Sequence, residues 1–133
     1  MKEYLDRHLE EVRKSGFTRT LFGRVRQIPE IESPQMAVRN FGERIALNTP
    51  LQGTAADLIK LAMIEIDRKL TARRGGLRAK MILQVHDELL FEAPEKELEA
   101  LRALVKPAME QVRALRVPLV VDMKTGPNWR DMK

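Results

Sequence analysis

The sequence contains no cysteine. Disulfides, thiolate nucleophiles and thiolate zinc sites are therefore excluded. Histidine occurs only at His8 and His86, too seldom for a histidine-built metal cage. No apolar run approaches the roughly 18 residues that span a bilayer, so no membrane partner is expected. The amino terminus mixes charges from Lys2 to Arg7 and lacks the apolar stretch of a signal peptide. Repeats, low-complexity tracts and linkers are missing as well. These absences make a cytoplasmic protein the default expectation. They leave its polar chemistry to carboxylates, amides, guanidinium groups and imidazole.

What is present fits about one ordinary domain: 133 residues, 44% of them apolar, enough for a modest core in water. Lysine and arginine number 24 against 19 acidic residues, a net charge of +5. That excess suits contact with a polyanion, and it suits many plain basic proteins equally.

Residues 2 to 14 have the three-and-four spacing of an amphipathic helix, with Tyr4 or Leu5, His8 or Leu9, and Val12 inward. Ser15-Gly16 supplies its stop. Met1 opens that helix without a capping residue, a hint that the chain was cut from something longer. Phe17 to Phe22 reads as a strand, Gly23 to Arg26 as an exposed loop, and Ile28 to Ile31 as an extended connection. Ser33 and Pro34 mark a helix start, with Met36, Val38 or Arg39, Phe41, Ile45 and Ala46 inward. Gly42 in its interior costs about 1 kcal/mol relative to alanine. Asn48-Thr49-Pro50 is expected to break this helix. Thr54-Ala-Ala-Asp57 then reads as a capping box for a helix whose stripe is Ala55, Ile59, Ala62, Met63, Ile66 and Leu70, ending over Thr71 to Gly76. A further helix starts at Ala93-Pro94-Glu95 and buries Leu98, Leu101, Leu104, Val105, Ala108, Met109 and Val112. Val117 to Val121 reads as a last strand before the tail Gly126 to Arg130. The pattern is one compact unit of α+β class.

One stretch stands apart. Met81 to Val85 and Leu89 to Phe91 are apolar runs short enough for strands. Between them lies His86-Asp87-Glu88, with Gln84 two residues before His86. A very tight turn would push Asp87 and Glu88 to the tip of a rigid hairpin. A carboxylate on such a tip is well placed for a hard divalent cation. A plain polar turn has the same composition, and these residues alone do not choose between the two. Arginines such as Arg24 and Arg26 are equally either solvated or aimed at phosphate, for which a guanidinium offers a planar fork of donors.

Four segments in this order resemble family A DNA polymerases, the bacterial DNA polymerase I group. They are Thr20-Leu-Phe-Gly-Arg24, Glu43-Arg-Ile-Ala-Leu-Asn-Thr-Pro-Leu-Gln-Gly-Thr-Ala-Ala-Asp-Leu-Ile-Lys60, Leu83-Gln-Val-His-Asp-Glu-Leu89 and Gly126-Pro-Asn-Trp129. The resemblance covers essentially the whole chain. It implies that residues 1–133 are the carboxy-terminal part of a polymerase palm, a small antiparallel sheet with a catalytic β-hairpin packed against three or more helices. It also implies that Asp87 ligates a catalytic Mg²⁺ and that Glu88 is a second acidic residue of the catalytic centre. Gln84 and His86 would face the primer terminus, and Asn48 and Gln52 the minor groove of the primer–template. Arg44 would contact the template, and Arg24 and Arg26 its phosphates. The implied partners are primer–template DNA, deoxynucleotide triphosphates and the remainder of the polymerase chain, in a nucleoid-associated setting.

Chemistry fits these roles. A polymerase must accept every correct pair, and the minor-groove N3 and O2 acceptors hardly vary with sequence. Asn, Gln and His can donate to them while neutral. The implied reaction is nucleotidyl transfer assisted by two Mg²⁺ ions roughly 3.5–4 Å apart. That reaction needs no side-chain nucleophile, so His86 is a poor general base.

Some of the family pattern is not present. The upstream Asp-Tyr-Ser-Gln-Ile-Glu motif with the first catalytic aspartate does not occur, nor do the fingers, thumb or an exonuclease domain. Asp57, Asp67 and Asp122 do not stand in a matching context. Val25 replaces a frequent arginine, and Gly42 a more usual small helix former. The isolated chain is therefore expected to be inactive, with an exposed sheet edge and apolar face that invite self-association. The alternatives are a non-catalytic DNA-binding remnant and a truncated product.

Overall fold

The computed structural model describes residues 2–72 and 76–133. Its α-helices are α1 (Lys2–Ser15), α2 (Met36–Ala72) and α3 (Leu98–Glu110). Its strands are β1 (Phe17–Arg19), β2 (Val25–Gln27), β3 (Lys80–Val85) and β4 (Glu88–Glu92), forming two antiparallel pairs, β1–β2 and β3–β4. The class is α+β, as the sequence suggests. The chain divides into two compact units, Met1–Asp57 and Leu58–Lys133, so the unit read from the sequence has two centres of packing.

In the first unit, α1 ends where Gly16 adopts φ 74 and donates its N–H to the Val12 carbonyl at 2.8 Å. Glycine takes that conformation without penalty. Val12 is fully buried while Tyr4 is exposed, so Leu5 and Leu9 form the inner edge. Leu9, with Ile45 of α2, packs against a core of Val12, Ile28, Ile31 and Ala46.

The strand expected from Phe17 to Phe22 stops at Arg19. Leu21 and Phe22 occupy a turn, closed by the Gly23 N–H donating to the Thr20 carbonyl at 3.0 Å. Gly23 at φ 84 makes that turn possible, and the exposed loop expected at Gly23 to Arg26 becomes the return strand. Phe17 pairs with Gln27, Thr18 with Arg26 and Arg19 with Val25. The extended connection expected over Ile28 to Ile31 is a 3₁₀ turn at Pro29–Glu32 that buries Ile31.

α2 departs furthest from the sequence pattern. The Ser33 hydroxyl does accept a bond, from the Gln35 N–H at 3.2 Å, but the helix begins at Met36 and runs unbroken for 37 residues through Pro50. Pro50 has no N–H for the Ala46 carbonyl. That carbonyl is served instead by His8 Nε2 at 3.1 Å and the Thr18 hydroxyl at 3.5 Å. Thr54 is no cap either: its hydroxyl donates to the Pro50 carbonyl and accepts the Leu21 N–H at 2.9 Å. Met36, Phe41 and Ala55 are exposed, contrary to the inward stripes expected, while Gly42 is buried. Met1 and residues 73–75, on which the expected helix start and part of the expected stop fall, lie outside the described residues.

The second unit is built on Ile66, Ala79, Leu101, Leu104, Val105 and Ala108, with Leu89 and Phe91 of the hairpin packed against them. A 3₁₀ turn at Glu95–Glu97 precedes α3, so the helix starts at Leu98 and not at Pro94. Val117 to Val121 forms no ladder among the described residues. The Val121 N–H, which a ladder would need, donates to Glu110 Oε1 at 3.0 Å. The tail folds back on itself through paired backbone bonds between Thr125 and Lys133 at 3.2 and 3.1 Å. Among the described residues no helix is long and apolar enough to cross a membrane.

Candidate functional site

In the second unit, Val85 pairs with Glu88, which leaves His86 and Asp87 as the two residues of the hairpin turn. His86 has φ 53, the one positive value at a described non-glycine residue. Positive φ at the first central position and not at the second, Asp87, is the pattern of a type II′ turn, whose twist suits a hairpin. For a residue with a side chain it costs on the order of 1 kcal/mol. Gln84 offsets this from within the strand: its Nε2 donates to the His86 carbonyl at 2.5 Å. His86, Asp87 and Glu88 are all exposed.

The pairs Met81–Phe91 and Gln84–Leu89 share a face with the core, because directly opposed residues point the same way. Leu83 and Leu90 point the other way. A register irregularity falls between Met81 and Leu83, and Ile82 and Leu83 are left 51% and 43% exposed. The hairpin thus presents carboxylates at its tip and an apolar flank beside them.

A hard cation takes six or more oxygen ligands. Asp87 and Glu88 provide the right kind of donor with nothing covering them. Among the described residues, no three His, Asp or Glu side chains converge as a metal site. The tip therefore suits Mg²⁺ in kind and supplies only part of its shell.

The first unit carries a shallow depression of about 380 Å³ lined by Arg26, Phe41, Arg44, Ile45, Asn48, Thr49 and Gln52. Positions 41, 44, 48 and 52 of α2 fall three or four apart and so form one stripe. Arg26 reaches the depression from β2. The Arg44 guanidinium lies 5.8 Å from the centre of the Phe41 ring, within cation–π range. Among the described residues its charged lining is Arg26 and Arg44 alone, and the neutral donors Asn48 and Gln52 are exposed beside them. The Thr49 hydroxyl, 6% exposed at the residue level, has no hydrogen-bond partner among the described residues. A buried hydroxyl left in that state is a donor in want of an acceptor.

Arg24 stands elsewhere. Its Nε bonds Asp57 Oδ1 at 2.7 Å and its Nη2 the Gly53 carbonyl at 3.1 Å, clasping the β1–β2 turn to α2. Four of the residues singled out in the sequence (Arg26, Arg44, Asn48 and Gln52) thus meet in one depression, and four (Gln84, His86, Asp87 and Glu88) meet at one hairpin tip. Phe41 and Thr49 were not anticipated. The signal for Phe41 was its helical spacing to Arg44, Asn48 and Gln52, overlooked because a phenylalanine was placed in the core.

The chain matches the family "DNA polymerase family A" over residues 1–131. It is 50% identical to DNA polymerase I of Caldicellulosiruptor bescii and 48% identical to DNA polymerase I of Bacillus subtilis, each over 133 residues. Those alignments cover 100% of this chain and 15% of each relative. It is also similar to a solved structure, the POL domain of Pol1 from M. smegmatis in complex with DNA primer-template and dNTP. The TM-score is 0.83 at 47% identity, covering 89% of this chain and 20% of that one. The chain spans about 15% of the length of these curated relatives.

Proposed function

Because this chain belongs to DNA polymerase family A, we propose that residues 1–133 are the carboxy-terminal palm portion of a DNA-directed DNA polymerase. The observation that carries the reading is the placement of Asp87, exposed in a two-residue turn pinned by Gln84. Asp87 holds one catalytic Mg²⁺, with Glu88 beside it. When bound, a pair of such ions stabilises charge on the attacking 3′-oxygen and on the leaving oxygen. The chain's own part is to fix that carboxylate rigidly, since a ligand off by an ångström loses much of its effect. Gln84 and His86 face the primer terminus.

The depression on the first unit takes the minor-groove side of the primer–template. Asn48 and Gln52 donate to N3 and O2 acceptors that every pair presents. Arg26 and Arg44 pair with phosphates, giving affinity without sequence preference. Arg24, half-exposed, leaves the rest of its guanidinium fork for a phosphate as well. Catalysis requires primer–template DNA, deoxynucleotide triphosphates and the remainder of a polymerase chain, so the isolated segment does not extend primers.

The test is a chimera in which this segment replaces the matching 48%-identical segment of the B. subtilis polymerase. It should extend primers, and Asp87→Ala should abolish extension while primer–template binding is retained. Substantial extension by a folded Asp87→Ala chimera would show the metal carboxylate to be elsewhere.

A further inference from the structure

We propose that His8 is a positioning residue for the DNA-facing row of α2, supplying from another element the hydrogen bond that Pro50 deletes. This rests on the reading of Asn48 and Gln52 as minor-groove donors. It adds a residue outside all four segments that carry the family resemblance.

Pro50 leaves one helix carbonyl without its usual donor. In a helix the N–H of residue 50 would bond the carbonyl of residue 46, and proline has none. Ala46 is fully buried, so water does not replace it, and a buried carbonyl without a donor is costly. His8 Nε2 lies 3.1 Å from that oxygen and 3.0 Å from the Thr18 hydroxyl, which is itself 3.5 Å from the carbonyl. Only a protonated Nε2 can donate to a carbonyl oxygen, so the geometry assigns the proton to that nitrogen. Tyr4 stacks beside the imidazole, ring centres 6.1 Å apart and planes 7° from parallel, which restrains its rotation.

The consequence falls on the opposite face. Ala46 and Pro50 are each two residues from Asn48, about 200° around the helix. The row Arg44, Asn48, Gln52 therefore crosses the outer side of the helix where its inner side has lost a bond. Helices bend at such places, and a bend there changes the spacing of Gln52 from Asn48 and Arg44. Tying the free carbonyl to His8 and Thr18 fixes that spacing.

In the chimera, His8→Ala should raise the KM for primer–template about tenfold and leave kcat within about twofold, because the buried Ala46 carbonyl then keeps only the long 3.5 Å bond from Thr18. His8→Gln, which keeps an N–H at the end of a side chain of similar reach, should restore most of the affinity. In a Pro50→Ala background, where residue 50 regains its own N–H, removing His8 should change KM less than twofold. Equal losses for His8→Ala and His8→Gln, or an undiminished loss in the Pro50→Ala background, would overturn the proposal. If His8→Ala alone fails to fold, His8→Gln decides: a folded variant with KM within about twofold supports the proposal, and a tenfold rise overturns it. The underlying reading is tested separately by Asn48→Ala and Gln52→Ala: if neither raises the KM, the minor-groove role fails. The bond itself is read from the His8 Nε2 proton in NMR spectra of the 133-residue chain, and a ring protonated only at Nδ1 would exclude it.

Discussion

A single methyl group at position 53 tests how the first unit is packed. By helix propensity alone, Gly53→Ala should stabilise α2 by about 1 kcal/mol. At this position, however, an added Cβ would lie 2.6 Å from Thr20 Cγ2 and 3.4 Å from Arg24 Nη2. Carbon–carbon contacts are comfortable at about 3.5–4.0 Å, so the Thr20 methyl must retreat by roughly 1 Å. Thr20 is buried and held on three sides. Its N–H donates to the Arg24 carbonyl at 3.0 Å, its carbonyl accepts from Gly23 at 3.0 Å, and its hydroxyl accepts from the Arg24 N–H at 3.2 Å. A β-branched side chain also has few rotamers to escape into. Overpacking of this kind costs about 1–3 kcal/mol, and a restrained neighbour belongs at the upper end. Set against the helix gain, the net loss is about 1–2 kcal/mol, which lowers a urea midpoint by roughly 0.5–1 M. Thr20→Ser removes the offending methyl and keeps the hydroxyl, and in that background Gly53→Ala should become neutral or stabilising. Urea unfolding followed by far-ultraviolet circular dichroism measures all four proteins of this cycle. A raised midpoint for Gly53→Ala alone, or no relief from Thr20→Ser, would refute the packing argument.

Other outcomes follow from the same structure. Gly42→Ala would bring a Cβ within 3.0 Å of Glu30 Cβ and the Ile31 nitrogen, and it should lose about 1 kcal/mol in a urea titration, where propensity alone promises a gain. Ile82 and Leu83, 51% and 43% exposed, should make the isolated chain self-associate at high concentration, and Ile82→Ser with Leu83→Ser should reduce this. Static light scattering that finds the unmodified chain monomeric would refute that expectation. Hydrogen bonds from Arg68 first and Lys69 second hold the Glu65 carboxyl below its ordinary range. Its pairing is therefore complete above the ordinary carboxylate value and is lost as pH falls through the lowered one. In a ¹³C titration Arg68→Ala should raise the Glu65 midpoint, and an unmoved midpoint would assign the shift to another cause.

How far the sequence could be read depended on where each residue finds its partners. The cores of α1 and α3 and the β3–β4 hairpin were legible, because periodicity and turn composition are local properties. Leu21 and Phe22 were mistaken for strand because apolar residues in a turn look like strand until the return strand is known. The unbroken α2 was not legible. The bonds that replace those lost at Pro50 reach Ala46 from His8 and Thr18, 38 and 28 residues away in sequence. Val117 to Val121 has strand composition, but Glu110 takes the N–H of Val121. At the candidate site, the roles of Asn48, Gln52, Arg26 and Arg44 came from family resemblance. Phe41 has the spacing of a core face that Gly42 in fact occupies, and Thr49 sits in a triplet with the composition of a helix break.

The misreading of α2 has a physical content that can be tested. Pro50, Gly53, Thr54 and Asp57 are poor helix residues, and together they looked like a break followed by a new cap. In the fold they form one face, at steps of three and four, and each is answered by a residue from another element. The Ala46 carbonyl freed by Pro50 meets His8 and Thr18, Gly53 admits the Thr20 methyl, Thr54 accepts the Leu21 N–H, and Asp57 pairs with Arg24 at 2.7 Å. Residues that weaken the helix are thus the ones that dock the segment from α1 to β2. Their helical state should depend on that docking, because the intrinsic penalty, about 3 kcal/mol for proline and 1 for glycine, exceeds what an isolated helix can supply. A peptide of residues 36–72 should therefore show helical chemical shifts from about Leu58 onward and lose them around Asn48 to Gly53. Continuous helical shifts across Pro50 in the free peptide would mean that the helix holds itself together there, and that His8, Thr18, Thr20 and Arg24 decorate it without supporting it.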